Sequence, residues 1–220
     1  MRMEICLLRH GYSTKNEEDR HGGGGLLTPR GVKETRLACS RIKTSYSPLD
    51  QWVIWIYSSA FPHVLSSAEI LSRDFGVRIN IDSRIEPLNL GVLSGLTIDE
   101  AGTKFPGPAS RMQEWREGKR EISQLAIPGA EDLTQFWQRG TDFLSELAGD
   151  RRLNIVVGTR SIITLLVNIM LGNSIKMNGG FCPVEIPTGG IAAFKRESGE
   201  WRVSSTNLWD VKLVKMRKAI

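Results

Sequence analysis

Met3-Glu4-Ile5-Cys6-Leu7-Leu8-Arg9-His10-Gly11 is an apolar run that stops on two basic residues and a glycine. Its apolar part is too short for a helix and reads as a buried β-strand. The polar, glycine-rich stretch from Gly11 to Leu27, ending in Gly22-Gly23-Gly24-Gly25, reads as a loop, with the four glycines as a flexible lip. Thr28 and Pro29 are N-cap and N1 residue types and open a helix expected to run to about Thr44. Residues 52–57 are a strand by β-branched and aromatic content. Pro62 starts a second helix whose stripe is Val64, Ala68, Leu71 and Phe75.

Arg78 to Asp82 is a short strand, and residues 86–129 predict short helices over one end of a sheet. Ala130 to Leu147 is an amphipathic helix with Leu133, Trp137, Gly140, Leu144 and Leu147 on one face. Asn154 to Val157 is a strand, followed by a helix turning Ile163, Leu166, Val167 and Met170 inward. Residues 190–195 and 201–206 form a last strand pair joined by Ser198-Gly199. Strands alternating with helices predict an α/β protein: a three-layer α/β/α sandwich around a mostly parallel sheet, with right-handed crossovers. One domain over residues 1–220 is expected, with 98–128 as a cap insertion.

The composition agrees with a globular protein. The chain has 220 residues, 40% hydrophobic and 24% charged, which excludes disorder, collagen and coiled coil. No apolar window is long enough for a membrane span, and the first apolar run is too short for a signal sequence, so a cytoplasmic protein is expected. The net charge is +5, but the basic residues are dispersed. The one cluster, Lys212, Lys215, Arg217 and Lys218, reads as a solvated tail, so neither nucleic acid nor membrane is expected as a partner. Three cysteines form no disulfide framework, and no metal-ligand spacing or cofactor motif is present.

Histidine chemistry must draw on His10, His21 and His63, the only three in the chain. In a sheet of this kind ligands bind beyond the carboxyl ends of the strands. Four loops converge there: Arg9-His10-Gly11, Tyr57-Ser58-Ser59, Glu86 and Gly158-Thr159-Arg160. An imidazole fixed at a strand tip can attack phosphorus, and the adjacent guanidinium can hold a phosphate on two oxygens. The same tripeptide is also compatible with an ordinary surface pair.

The flanking segments decide between these. The chain resembles the histidine phosphatase superfamily, with its phosphoglycerate mutase-like fold, over nearly its whole length. Arg9-His10-Gly11 is similar to the family signature, with Asn16 after it. Leu27-Thr28-Pro29-Arg30-Gly31, Tyr57-Ser58-Ser59 with Ser67-Ala68-Glu69-Ile70-Leu71, Arg84-Ile85-Glu86 with Leu90 to Glu100, and Pro128-Gly129-Ala130-Glu131 follow in the family's order. The resemblance implies that His10 takes up a phosphoryl group, that Arg9 binds its oxygens and that Glu86 is the acid and then the base. It makes Asn16 and Ser59 lesser contacts.

Two positions depart from the family. His63 stands where the family carries a second phosphate-binding arginine, and Thr159 stands where it carries a second histidine. A helix N-terminus disfavours a cation, so His63 should be a weaker ligand than arginine. Losing a partner from a buried charge pair costs about 2–5 kcal/mol, so activity should be impaired unless others substitute. Arg160 can turn inward as one substitute, and His21 can close over the pocket as another. The cap residues Phe105, Arg111, Trp115 and Arg116 are candidates to line it.

Three functions stay open on these residues. The first is an enzyme hydrolysing a small phosphorylated metabolite, without the mutase branch's tryptophan-rich run after the signature. The second is an inactive anion-binding regulator. The third is an acid/base enzyme acting on an anion without phosphorus. The substrate is not legible, and a homodimer is left open.

Overall fold

The computed structural model describes residues 3–147 and 151–216. Strand β1 (Met3–Arg9) is buried along nearly its whole length, and its alternation builds both faces of the molecule. Ile5 and Leu7 enter one apolar core, while Cys6 and Leu8 enter the other. Such two-sided burial is what a central parallel strand requires.

After β1 comes α1 (Thr14–Glu17), a single turn inside the stretch expected to be all loop. A reciprocal cap makes it possible. The Asn16 side chain accepts from the Ser13 backbone N–H at 3.1 Å and from its hydroxyl at 2.8 Å. Four residues are too few to carry a periodic signal, which is why sequence reading misses them. Helix α2 (Pro29–Ser45) begins as expected, with Thr28 Oγ1 accepting from the Gly31 N–H.

Strand β2 (Val53–Ser58), helix α3 (Pro62–Phe75) and strand β3 (Ile79–Ile81) follow. Val64, Ala68 and Leu71 of α3 are buried as read, and so is His63. Helices α4 (Ile98–Lys104) and α5 (Pro106–Arg116) fall within the segment 98–128 expected to form the cap. Helix α6 (Leu133–Glu146) starts three residues later than expected, because Asp132 accepts from the N–H groups of Thr134 and Gln135. Phe136 and Phe143 carry more of its buried face than the expected Leu133 and Trp137. Strand β4 (Arg152–Gly158) and helix α7 (Arg160–Met170) complete the parallel part.

Strand β5 (Val184–Glu185), β6 (Ile191–Glu197), β7 (Glu200–Val203) and β8 (Lys212–Leu213) end the chain. The six-stranded sheet runs β3-β2-β4-β1-β6-β7. The first four strands are mutually parallel, and β6 and β7 are antiparallel. Helices α2 and α3 cover one face and α6 and α7 the other, giving the expected three layers. The basic C-terminal segment is not simply a solvated tail. Lys212 lies in β8, paired with β5, and its ammonium meets Glu185 at 2.9 Å. Arg217 and Lys218 lie outside the described residues. Among the described residues no helix is long and apolar enough to cross a membrane.

One close approach sets the seat of the first loop. A Cβ on Gly31 would meet the Tyr12 carbonyl oxygen at 2.0 Å, and one on Gly11 would meet the Gly31 oxygen at 2.1 Å. Both obstacles are backbone, so neither can rotate away. We expect Gly31→Ala to lower stability by about 1–3 kcal/mol or more. Gly102→Ala, in α4 with nothing within 4 Å of the added carbon, should gain about 0.5–1 kcal/mol. Urea unfolding of the two variants reads both.

Candidate active site

The sheet register brings the reactive loops level. Arg9 lies opposite Gly158 and Ser58 opposite Val157. His10, Ser59 and Thr159 therefore leave the sheet within one residue of each other. A cavity of about 350 Å³ opens at this row, lined on one side by Met112, Trp115 and Arg116 of α5.

His10 is buried, and its backbone N–H continues the ladder to the Gly158 carbonyl at 3.0 Å. Its Nδ1 lies 2.8 Å from the Gly11 carbonyl oxygen. A carbonyl only accepts, so Nδ1 carries the proton and Nε2 keeps its lone pair. Burial, and then the neighbouring His63, hold the imidazole pKa well below 6.5. At neutral pH His10 is thus uncharged, in one tautomer, with Nε2 nucleophilic.

The His63 ring stands edge-on to His10, with centroids 4.3 Å apart. It is fully buried, and neither ring nitrogen makes a well-formed hydrogen bond among the described residues, though the Gly25 backbone interacts with the ring. Burial first and Lys15 second push its pKa down to about 4. His63 is therefore a neutral neighbour of His10 and brings no charge to the pocket.

Positive charge comes from elsewhere. Arg9, Lys15, Arg20, Arg116 and Arg160 line the cavity against two carboxylates, Glu117 and Glu185. Arg20 is spoken for by Glu18 and Glu100. Arg9 donates through Nη1 to the Ile186 carbonyl at 2.6 Å, while its buried Nε has no partner among the described residues. Burial and the nearby Arg160 lower Arg9 to about 10. Lys15 is pushed down to about 8, by burial and then by Arg9, Arg160 and Arg116. Mutual repulsion of this kind is relieved when an anion enters.

The cap is latched to this cluster. Arg116 of α5 donates through Nη2 to His21 Nδ1 at 3.1 Å. The geometry assigns the other tautomer to His21, with its proton on Nε2. Burial first, then Arg116, lower the His21 pKa to about 4.

Glu86 follows a short helical turn, half-buried and without a hydrogen bond or ion pair to its carboxylate among the described residues. Its loop is held from two sides. Arg139 of α6, paired with Glu131, donates to the Arg84 carbonyl at 2.6 Å and the Pro87 carbonyl at 3.4 Å. Ser161 Oγ accepts from the Leu88 N–H at 3.2 Å and lies 3.0 Å from Thr159 Oγ1.

Of the residues singled out from sequence, Arg9, His10, Asn16, Thr159 and Arg160 line the cavity. Ser59 and His63 are buried and do not line it, and Glu86 is not itself a lining residue, although Pro87 and Leu88, which follow it, are. Trp115 and Arg116 line it. Phe105 packs into the core instead, and Arg111 donates to the carbonyls of Leu125 and Ala126. His21 does not close over the pocket but steadies Arg116. Lys15, Ser161 and Arg139 were missed. Lys15 sits in the unpredicted turn α1, and the other two act through backbone contacts that no motif encodes. Among the described residues no group of three His, Cys, Asp or Glu side chains is placed to hold a metal.

The α/β sandwich thus places a single-tautomer imidazole at the strand ends, in a cavity lined by more cationic than anionic side chains. The family model of the histidine phosphatase superfamily (branch 1) matches residues 5–208, and the chain belongs to that superfamily. A protein of Yersinia pestis (strain Pestoides F) named "Probable phosphoglycerate mutase GpmB" is 27% identical over 139 residues, which cover 62% of this chain. The chain spans 59% of the length of the curated relatives it matches. Among solved structures, Bacillus stearothermophilus YhfR superposes with a TM-score of 0.75 at 18% identity, covering 94% of this chain and 97% of that one. A mycobacterial glucosyl-3-phosphoglycerate phosphatase gives 0.72 at 21%, covering 96% and 99%. At such identities the likeness is one of fold.

The three depressed histidines make stability pH-dependent. In the unfolded chain they take up protons as pH falls through about 6.5. In the folded chain His21 and His63 do so only near 4, and His10 well below 6.5. Their contribution is complete above about 6.5 and is lost as pH falls toward 4, by up to about 1.4 kcal/mol per pH unit for each. Urea midpoints at pH 7.5 and 5.5 should fall accordingly, and His63→Leu should shallow the slope.

Proposed function

We propose that this protein hydrolyses a small phosphate monoester through a phosphohistidine on His10. The observation that carries the reading is the neutral, Nδ1-protonated His10 in a cavity also lined by four cations (Arg9, Lys15, Arg116 and Arg160) that have no ion pair among the described residues. Nε2 attacks phosphorus and the P–O ester bond breaks. The leaving oxygen takes its proton from the Glu86 carboxylic acid. Water then gives a proton to the Glu86 carboxylate and attacks phosphorus, the P–N bond breaks, and inorganic phosphate leaves.

Glu86 is preferred over the two carboxylates that line the cavity because those are engaged. Glu185 pairs with Lys212, while Glu117 pairs with Lys119 and accepts from Gln113. Arg160 and Lys15 take the place of the arginine missing at position 63 and the histidine missing at 159. An arginine at 63 would add a further positive charge against Arg9 and Lys15, so a neutral His63 fits a pocket whose cations sit elsewhere. Hydrolysis is preferred to mutase chemistry because the mutase branch's run after the signature is absent. Activity below that of members with the full set is part of the proposal.

Phenyl phosphate turnover followed by an alkaline quench, in which a P–N bond survives, tests it by mass spectrometry. An adduct on His10 is expected, absent in His10→Ala and accumulating in Glu86→Gln. Turnover without any adduct overturns the reading, as does phosphate binding with no turnover. Arg160→Ala should lower kcat/KM by about 30- to 5,000-fold, the equivalent of about 2–5 kcal/mol. Lys15 is charged below about 8 and neutral above it. Inhibition by inorganic phosphate should therefore weaken as pH rises from 7 to 9, and Lys15→Met should lose that dependence.

A further inference from the structure

The phosphate end accounts for only part of the cavity. Beyond it lies an apolar wall assembled from separate segments. Leu88 comes from the Glu86 loop, Met112 and Trp115 from α5, Leu125 from the end of the cap, Phe136 from α6, and Phe181 from the loop before β5. Met112, Leu125, Phe136 and Phe181 belong to the main apolar core, yet here they border open space continuous with His10. Little of their surface meets solvent, so the space they border presents apolar side chains at close quarters, where an apolar body would find the close contacts of a protein interior.

From this division we infer that the substrate is a phosphate monoester of an alcohol with a bulky apolar body, which the cap wall covers while Arg9, Lys15 and Arg160 hold the phosphate. The inference rests on the phosphatase reading above and extends it to the leaving group. A small polar ester such as glycerol 3-phosphate would satisfy the cations but make few contacts with the wall.

A homologous series of n-alkyl phosphates separates binding from leaving-group chemistry, because the alcohols leave almost alike. From ethyl to hexyl phosphate, kcat/KM should rise about fourfold per methylene until the cavity is filled, and glycerol 3-phosphate should fall with the short members. Trp115→Gln should flatten the series. Calorimetry with n-alkylphosphonates, which bind without turnover, provides the second measurement on the unaltered protein. Affinity should rise with chain length, and the heat-capacity change should become more negative. A series flat in both measurements, or one favouring glycerol 3-phosphate, overturns the inference even where a His10 adduct forms. Phosphonate affinity that climbs with chain length, without hydrolysis of any ester, upholds the apolar subsite and overturns the phosphatase reading alone.

Discussion

A single hydrogen bond, from Nδ1 of His10 to the carbonyl of the next residue, sets what this site can do. It pins one tautomer and leaves the lone pair on Nε2. Burial adds the second condition, since a charged imidazole has no lone pair to offer and would repel Arg9. Much of the surrounding structure serves these two conditions. The ladder from β1 to β4 holds the backbone of His10, the glycine contact between the first loop and α2 fixes the carbonyl of Gly11, and His63 packs edge-on without competing for a proton.

The charge in the pocket obeys a different logic. Four cations repel one another across the cavity, and burial deepens the conflict, as the depressed Lys15 and Arg9 show. Such an arrangement costs free energy in the empty protein and returns it when an anion binds. Arg160 and Lys15 come from the first turn of α7 and from the short α1, where no signature residue would be sought. The positive charge of this pocket therefore comes from several elements at once.

The layers of the fold were legible because they rest on long periodic segments. β1 alternates between two cores, α2 starts at a Thr-Pro cap, and α7 is apolar almost all round. Among the shortest elements, β3 and β7 were legible as strands, but α1, β5 and β8 were not. α1 depends on a cap between Ser13 and Asn16, and β5 and β8 depend on each other across a long sequence separation. Of the candidate site, the residues at strand tips could be placed from sequence, since topology dictates where strands end. The supports could not. Ser161 and Arg139 hold the Glu86 loop through backbone atoms, and the Arg116–His21 latch joins residues 95 positions apart. Contacts with backbone groups leave no trace in residue type.

The protonation state of His10 is the point on which the chemistry turns, and nitrogen NMR of the ¹⁵N-imidazole-labelled protein reads it directly, with the His10→Asn variant giving the assignment. At pH 7 the His10 signals should be those of a neutral ring, protonated at Nδ1 and bare at Nε2, and should stay so below pH 6. A ring protonated at Nε2, or an imidazolium at pH 7, would contradict the account.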